Sequence, residues 1–311
     1  MSLLCFINQH TLHNKCKTAA NHTTMVVSRA ARSWNPQRYT RFEFQRLRPA
    51  LDLLGQVEHV NPQSIVDVGC GTGNLTPFLR KRWPAAHILC VDSSAEMLDK
   101  ARTSHEELGI QENVDYSQSD FETLGSAEET FDIIVSNAAL HWVSFQVHCE
   151  ILPKYMLLLN PDGVLAFQMP DSREQSSHQH MVRAMKEVGL GHHLENIRWV
   201  TTEADPHQYY NLLVNKCADL NMWTTTYTHI MEGRNPVADF TESTALGPFL
   251  EPLTPAEAET FIRRYRYLIK DSYWKQKNGK TLFSMKRFFV VAKKRASKHD
   301  AWLPSSGGTD A

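Results

Sequence analysis

Residues 66–74 read VDVGCGTGN, and this stretch decides the fold. An apolar run carrying the acid Asp67 opens into a loop that contains Gly69, Gly71 and Gly73 before a helical segment. Glycines in such a loop let the backbone approach a ligand and adopt positive φ angles without a Cβ penalty. We therefore predict a ligand-binding turn between the first strand and a helix of an α/β sheet.

Two classes of ligand suit a loop of this kind. A dinucleotide site favours G-x-G-x-x-G, whereas this loop is G-x-G-x-G and has Asn74 in place of the last glycine. Asp67 separates the classes further, because a carboxylate repels a pyrophosphate but attracts the ammonium and sulfonium charges of S-adenosylmethionine. The loop favours the cationic ligand, and a nicotinamide oxidoreductase is the rival interpretation.

Acids also follow the next two predicted strands. Asp92 ends the second, where a carboxylate can accept hydrogen bonds from both hydroxyls of a ribose, a sugar that NAD and S-adenosylmethionine share. Asp120 and Phe121 follow the third and suit the amino group and the ring face of adenine. Because the carboxyl ends of parallel strands meet at one edge of a sheet, we expect these side chains to share a cleft. The alternative is that the acids cap loops and the glycines only make turns.

Short apolar runs alternate with amphipathic segments from residue 64 onward, which is typical of a parallel sheet covered on both faces. Strands are predicted at 64–68, 86–91, 114–117, 131–136, 163–169, 223–230 and 287–292. Helices are predicted at 42–54, 75–82, 94–108, 180–188, 206–220 and 255–273. The predicted fold is a doubly wound, mostly parallel seven-stranded α/β sheet with a helical insertion that covers the substrate.

The motifs resemble those of class I S-adenosylmethionine-dependent methyltransferases. They are VDVGCGTGN, VDSSAEML at 91–98, SDF at 119–121 and FDIIVSNAALHWV at 131–143. The resemblance implies a Rossmann-like sheet with S-adenosyl-L-methionine as cofactor and Asn137 at its methionine end. The implied cofactor-binding residues are Tyr39, Asp67, Gly69, Gly71, Gly73, Asp92, Ser93, Met97, Asp120, Phe121 and Asn137.

A closer resemblance, to the trans-aconitate methyltransferase family, runs from about Trp34 to about Lys294. It is carried by SWNPQRYTRF at 33–42, RPALDLL at 48–54, LNPDGVLAFQMPD at 159–171, WTTTYTHIM at 223–231 and FIRRYRYLI at 261–269. It implies formation of a monomethyl ester of a small tricarboxylic acid, with Tyr39 closing over the cofactor. One segment departs from the family: residues 245–248 read ALGP where we expect Gly-Leu-Arg-Pro, so an arginine suited to a carboxylate is missing.

An ionised carboxylate needs no general base, so the chain has to position its substrate rather than activate it. Cations and donors would hold the acid, and the candidates are Tyr39, His141, Trp142, Gln168, Arg264 and Tyr265, with Arg173 in addition. The alternatives are a solvated helix face for the arginines and packing at the end of the fourth strand for His141 and Trp142. Two other assignments remain open: a methyltransferase of this fold acting on another small acid or secondary metabolite, and an inactive cofactor-binding partner subunit.

The domain expected from these patterns spans 33–296, with a helical cap around 171–222 and 236–275 and a disordered tail at 297–311. The first 42 residues contain no Asp or Glu. Residues 1–32 therefore read as a basic disordered extension or as a mitochondrial targeting segment, and translation from Met25 is a further alternative. We expect a cytoplasmic protein, with the mitochondrion as the alternative.

Bulk properties exclude several classes of protein. The net charge of -1 argues against a large nucleic-acid surface. Six cysteines without a Cys-x-x-Cys pattern imply neither a zinc site nor a disulfide framework. The pairs His178/His180 and His192/His193 read as surface loop histidines rather than metal ligands. No apolar run is long enough to span a membrane. The expected partner is a small carboxylic acid, and the sequence leaves the oligomeric state open, with a monomer plausible.

Overall fold

The computed structural model describes residues 43–124, 129–199 and 205–295, the side chains of 43–46 excepted. The strands in these ranges are β1 Ser64–Val68, β2 His87–Asp92, β3 Val114–Gln118, β4 Phe131–Asn137, β5 Leu159–Pro170, β6 Cys217–Met231 and β7 Thr281–Lys294. The α-helices are α1 Glu43–Gly55, α2 Thr76–Arg82, α3 Ala95–Glu107, α4 Phe145–Leu158, α5 Ser176–Glu187, α6 Pro206–Leu213, α7 Pro236–Glu242, α8 Gly247–Leu250 and α9 Pro255–Ser272. Short 3-10 helices cover Phe121–Thr123, Leu140–Trp142 and Gly191–Asn196.

The seven strands form one sheet in the order β3-β2-β1-β4-β5-β7-β6. Every pair from β3 to β5 is parallel, whereas β7 runs antiparallel to both β5 and β6. The chain first winds outward from β1 to β3 and then continues on the other side of β1 at β4. This reversal leaves a crevice beyond the carboxyl ends of β1 and β4, which is where open α/β sheets bind ligands. The predicted doubly wound, mostly parallel sheet is confirmed.

Hydrophobic clusters cover both faces of the sheet. Val66 and Val68 of β1 point into a cluster on one face, together with Tyr155 and Tyr209, and Ile65 points into a second cluster on the other face. Because β1 is buried on both faces, its sequence is a nearly continuous apolar run, as expected for a central parallel strand. The polar exception is Asp67, which lies on the same face as Ile65 because alternate residues of a strand share a face.

A third cluster forms a cap beyond the sheet. It is built from α5, the helices α7 to α9 and the outer ends of β6 and β7. Thr254 and Glu257 form a reciprocal capping box that starts α9, and Phe261 and Tyr265, four residues apart, present one buried face of that helix. The helical cap predicted from the sequence is therefore present, although its boundary with β6 differs.

One predicted boundary is wrong. The helix expected at 206–220 ends at Leu213, and residues 217–222, which the sequence pattern assigns to the cap, belong to β6. Residues 217–231 alternate between buried and more exposed positions over much of their length and pair with β7 from Cys217↔Lys294 to Met231↔Thr281. Pairing with a strand that begins fifty residues later in the chain overrides the local helical pattern, which is a tertiary effect.

The sequence prediction also missed helices. The longest is α4, Phe145–Leu158, in which Ser144 accepts a hydrogen bond from the Val147 amide as an N-cap. Its sequence FQVHCEILPKYMLL is apolar around most of the helix and contains Pro153, so it lacks the polar face that marks a surface helix. The helices α7 and α8 are short and were missed as well.

Candidate functional site

The glycine loop is tied to the ends of two neighbouring strands. The amides of Gly69 and Cys70 both donate to the Val91 carbonyl oxygen, at 2.8 and 2.9 Å. The Gly71 amide donates to Oδ2 of Asp92 at 2.9 Å. Gly69, Gly71 and Gly73 all have positive φ, at 73°, 57° and 74°. The loop thus stands over the carboxyl ends of β1 and β2, as predicted, in a conformation that favours glycine.

The three glycines serve different purposes. A Cβ atom on Gly69 would lie 2.3 Å from the Cβ of Ala139, and one on Gly73 would lie 2.3 Å from Nε2 of His105. A Cβ on Gly71 would meet no described atom within 4 Å. Gly69 and Gly73 therefore permit close packing inside the protein, whereas Gly71 borders open space. Gly71 is the position at which a ligand could approach the backbone.

Asp92 organises this corner of the sheet. Its Oδ1 accepts from the Ser94 amide at 2.9 Å, and its Oδ2 accepts from Gly71. Burial raises the pKa of the Asp92 carboxyl, and hydrogen bonds from backbone amides partly offset that effect. Each carboxylate oxygen carries more than one acceptor direction, so both can still receive a hydroxyl. Ser93 and Met97 are half-buried beside it, at the start of α3.

Asp67 is the most perturbed acid of the cleft. It is 1% exposed, and its Oδ2 atom finds no hydrogen-bond partner within the described part of the chain. Burial, reinforced by the nearby charge of Asp92, raises the pKa of Asp67 to about 7. A buried carboxyl group with an unsatisfied oxygen is what a cationic ligand would stabilise, because its charge would be compensated in a medium of low dielectric constant.

Asp120 and Phe121 lie at the end of β3. Asp120 is exposed and precedes the 3-10 helix Phe121–Thr123. The Phe121 ring approaches to 3.4 Å from the position that a Cβ of Gly69 would take, and the Phe121 carbonyl accepts from the Tyr155 hydroxyl at 2.8 Å. Phe121 is thereby brought to the glycine loop, in the order that the sequence predicted.

The ends of β4 and β5 contribute two amides. Nε2 of Gln168 donates to Oδ1 of Asn137 at 2.5 Å, and the amide of Ala138, which has a positive φ of 51°, donates to the Gln168 carbonyl at 2.9 Å. Gln168 is fully buried, yet its Oε1 has no hydrogen-bond partner among the described residues. Buried amide oxygens are rarely left unpaired, so this atom marks a second position suited to a ligand.

His141 and Trp142 form the 3-10 helix that follows β4. Arg198 holds this helix, donating to the His141 carbonyl at 2.7 Å and to the Val143 carbonyl at 2.8 Å. The ring of His141 packs against Trp142, which is 52% exposed. Burial, with the charges of Arg287 and Arg198, holds the pKa of His141 well below its usual range. Its Nδ1 is buried and without a partner in the described ranges.

Arg264 and Tyr265 are placed differently from the strand-end residues. Arg264 donates through Nε to Glu187 at 2.5 Å and stacks on the Tyr267 ring. Tyr265 is fully buried in the cap cluster, where its hydroxyl bonds Oγ1 of Thr241 at 2.8 Å. These contacts all lie within the cap, so the structure does not bring Arg264 or Tyr265 together with the residues of the cleft.

Of the remaining candidates for ligand binding, Arg173 lies within the described residues and Tyr39 does not. Arg173 makes a bidentate pair with Asp171, at 2.9 and 2.8 Å. Tyr39 and the motif at 33–42 lie outside the described residues, as do the extension 1–32 and the tail 297–311.

His178 corrects the interpretation of the paired histidines as surface loop residues. It lies on α5, is 6% exposed, and burial lowers its pKa to about 4. His180, on the same helix, bonds the Ser272 hydroxyl at 2.5 Å. Within the described ranges, no group of three or more His, Cys, Asp or Glu side chains is arranged to hold a metal ion.

Arg287 and His229 were missed by sequence reasoning. Arg287 is 5% exposed near the middle of β7, and His229 is 9% exposed on β6. The available signal was the charge itself, which stands at the head of the apolar run RFFVVA.

None of the helices in the described part of the chain is long and apolar enough to cross a membrane.

Comparison with known proteins identifies the family. Residues 65–163 match the model of a methyltransferase domain. The trans-aconitate 2-methyltransferase of Shigella dysenteriae serotype 1 is 36% identical over 261 residues, which cover 84% of this chain and 98% of that protein. The enzyme of the same name from Escherichia coli O157:H7 is also 36% identical over 261 residues, with the same coverage.

Solved structures agree on the fold. The YcgJ protein of Bacillus subtilis has a TM-score of 0.51 at 17% identity, covering 80% of this chain and 98% of its own. A methyltransferase-like protein of Bacillus halodurans has a TM-score of 0.50 at 14% identity, covering 79% and 98%. The predicted class I methyltransferase architecture is thereby confirmed, and the identity over nearly the whole length of the curated relatives shows that this chain belongs to the trans-aconitate 2-methyltransferase family.

Proposed function

We propose that this chain is an S-adenosylmethionine-dependent carboxyl O-methyltransferase that converts trans-aconitate into a monomethyl ester. The observation that carries the proposal is the 36% identity that extends over 98% of the length of a trans-aconitate 2-methyltransferase. Because the alignment covers 84% of this chain, it includes both the sheet and the cap. A match confined to the nucleotide-binding half would have supported methyl transfer but no substrate class.

The residues of the cleft fit S-adenosylmethionine. Asp67 has a buried oxygen without a partner in the described chain, which a cationic ligand would compensate. Asp92 keeps acceptor directions for the ribose hydroxyls while it holds the loop. Gly71 leaves space beside the backbone, and Phe121 lies next to the loop for the adenine ring. A pyrophosphate would meet two acids here, the buried Asp67 and the half-buried Asp92, so a dinucleotide fits poorly.

When bound, S-adenosylmethionine supplies a methyl group on a positively charged sulfur. The protein has to place an ionised carboxylate against that group, and no side chain needs to remove a proton from the substrate. Orientation of this kind can contribute several kcal/mol to a rate enhancement. The cap packs on the part of β7 that extends past Pro170, at the carboxyl end of β5. There it would exclude water, in which the attraction between the two opposite charges would be weak.

A methyltransferase of this fold with a different small acid as substrate is the second candidate. It is favoured by residues 245–248, where Gly247 stands at the position in which we expect an arginine. In the structure Leu246 is buried in the cap core and Gly247 begins the short helix α8. That segment therefore supplies no cation, and the carboxylate must be bound by other residues.

Transfer of a labelled methyl group decides between the two candidates. The protein would be incubated with labelled S-adenosylmethionine and, in turn, trans-aconitate, cis-aconitate, citrate, isopropylmalate and itaconate. We expect trans-aconitate to be labelled most efficiently, as judged by kcat/KM. Preferential labelling of another acid would select the second candidate, and equal or no labelling of all five would overturn the tricarboxylate assignment.

Calorimetric titration tests the cofactor independently of the acid. We expect S-adenosylhomocysteine to bind in the micromolar range and NAD not to bind. The reverse order of affinity would contradict the proposed cofactor.

A cytoplasmic location belongs to the same proposal, with the mitochondrion as alternative. Fractionation of cells that express the full chain would distinguish the two compartments.

A further inference from the structure

Arg287 lies at the edge of the sheet that carries the cleft. It pairs with Pro170 of β5 on one side and with Thr225 of β6 on the other. Phe289, two residues further along β7, pairs with Gln168. Directly opposed residues of an antiparallel pair share a face, and so do alternate residues of one strand. Arg287 and Gln168 therefore occupy the same face of the sheet, near the end of β5.

His229 belongs to the same face. It lies four residues from Thr225 on β6, and the intervening Tyr227 stacks nearly parallel to it, with an interplanar angle of 8°. Trp223, further along this row, stacks on Phe289 at 4.7 Å, which supports the assignment of the face. Burial, together with the charges of Arg287 and Arg48, lowers the pKa of His229 to about 4.

His141, on the 3-10 helix after β4, lies within the electrostatic influence of Arg287. After burial, the strongest influence on its pKa is the charge of Arg287, followed by Arg198, His178 and His148. We call Arg287, His141, His178 and His229 the basic cluster. Its members come from β7, the 3-10 helix after β4, α5 and β6, so four separate elements bring basic side chains to one region.

Lys286, the neighbour of Arg287 on β7, serves the opposite face of the sheet, where it pairs with Asp171. Asp171 follows Pro170 and is also bound by Arg173. The histidines are kept neutral by burial next to positive charge. A guanidinium and several histidine N–H groups in one region supply positive charge and hydrogen-bond donors, which favour an anion over a cation as ligand.

Nδ1 of His141 and Oε1 of Gln168 are buried polar atoms of this region that have no hydrogen-bond partner within the described chain. Gln168 is fully buried and tied to Asn137, at the end of β4. Unsatisfied buried atoms of this kind are uncommon and call for an explanation. A polar ligand that enters between the basic cluster and Gln168 would supply their partners, whereas a hydrocarbon ligand would leave them unpaired.

We propose that Arg287 binds a carboxylate of the substrate, and that His141 and His229 contact the remaining carboxylates of a polycarboxylic acid. The inference rests on the proposed function and deepens it, because it assigns the acid-binding role to a residue of β7 instead of the segment 245–248. Arg287 then stands beside Gln168 and Asn137, between the cap and the cofactor cleft. A planar guanidinium is suited to this task because it can bond both oxygens of one carboxylate.

Substitution of Arg287 tests the proposal. In Arg287→Gln we expect KM for trans-aconitate to rise by about 30-fold or more, since one partner of a buried charged pair is lost. In Arg287→Lys the charge remains but the bidentate hydrogen bond is lost, and we expect KM for trans-aconitate to rise by about tenfold. The affinity for S-adenosylhomocysteine, measured by calorimetry, should stay within about twofold in both. Lys286→Gln, on the opposite face of β7, is the matched control and should leave KM unchanged.

The number of carboxylates in the acid separates binding from a structural role. If Arg287 and the histidines each engage a carboxylate, Arg287→Lys should raise KM more for a tricarboxylate than for the dicarboxylate itaconate. If Arg287→Gln does not fold, as judged by thermal melting, Arg287→Lys and His229→Gln decide in its place. Unchanged KM for trans-aconitate in the variants that fold would overturn the proposal. Failure of the unmodified protein to methylate any acid would instead overturn the proposed function.

Discussion

A Cβ atom on Gly73 would lie 2.3 Å from Nε2 of His105, and that nitrogen already bonds the Gly73 carbonyl oxygen at 2.9 Å. Because the carbonyl can only accept, Nε2 carries the proton and Nδ1 accepts from the Tyr116 hydroxyl at 2.7 Å. Burial lowers the pKa of His105, which keeps the ring neutral in this role. The last glycine of the loop is thus required by a histidine of α3 rather than by a ligand.

Gly73→Ala should therefore destabilise the protein. We expect the free energy of unfolding to fall by about 2 to 4 kcal/mol, because the methyl group overlaps His105 and the residue is held at positive φ. Urea unfolding measures the change. In the double variant Gly73→Ala/His105→Ala the losses should be less than additive, since the clash is gone. Full additivity would show that the two residues do not interact.

Gly71→Ala should affect binding more than folding. Gly71 and Gly109, which follows α3, both have positive φ, and at both a Cβ atom would point into open space. Each substitution to alanine should cost about 1 kcal/mol of stability. Gly71→Ala should in addition weaken S-adenosylhomocysteine binding by about tenfold or more, because the methyl group occupies the ligand side of the loop. Equal binding by both variants in a calorimetric titration would place the ligand elsewhere.

Asp67→Asn should change the dependence of stability on pH. The pKa of Asp67 is about 7 in the folded protein and near 3.8 when exposed, so the unfolded chain ionises first and stability falls as pH rises from about 4 through 7. The asparagine variant cannot ionise. As pH rises from 4 to 8, the free energy of unfolding of the variant should therefore increase relative to that of the unmodified protein by on the order of 3 to 4 kcal/mol. Urea unfolding across this range provides the measurement.

The same substitution should impair the ligand site. Affinity for S-adenosylmethionine should increase with pH as Asp67 ionises around pH 7, because the carboxylate attracts the ligand's positive charge. In Asp67→Asn that rise should disappear, and the affinity should be low at all pH values. A variant that binds with the pH profile of the unmodified protein would show that Asp67 does not contact the ligand.

Asp92→Ala should weaken cofactor binding by about 1.5 to 3 kcal/mol, since charge-assisted bonds to the ribose are lost. The structure adds a second reason, because the carboxylate also holds the Gly71 and Ser94 amides. Asp115→Ala is the matched control, since Asp115 lies on β3 and pairs at the surface with His87. Calorimetry with S-adenosylhomocysteine should separate the two variants, and equal affinities would contradict the assignment.

The cofactor half of the fold could be predicted from the sequence because its signals are local. The strand predicted at 64–68 has those bounds in the structure, and the next three strands end within a residue or two of their predicted positions. The strands β1, β2 and β4 are largely apolar runs that stop at a polar residue or a turn. Asp67 and Asp92 could be placed for the same reason, since a residue at the end of a parallel strand must lie at the ligand-binding edge.

The proposed acid-binding side could not be predicted because it depends on pairing between distant segments. Arg287 reaches the cleft only through the antiparallel register of β7 with β5, and the charge pattern of α9 drew attention to Arg264 instead. Tyr265 could have been assigned to the core, since it lies four residues from Phe261 and from Ile269 on one helical face. The roles assigned to the cleft residues stay predictions until the variants are measured.

The long strand β7 contributes to all three hydrophobic clusters. Phe283 packs in the cap cluster and Phe289 in the sheet, with Arg287 between them. The cap could not be exchanged between relatives as an independent module in order to change acid specificity. Its helices pack on β7, which is also a strand of the sheet. A workable chimera would keep β6 and β7 from one parent and join the foreign helices through the connections at 171–175 and 214–216, before β6, and at 232–235 and 273–280, before β7.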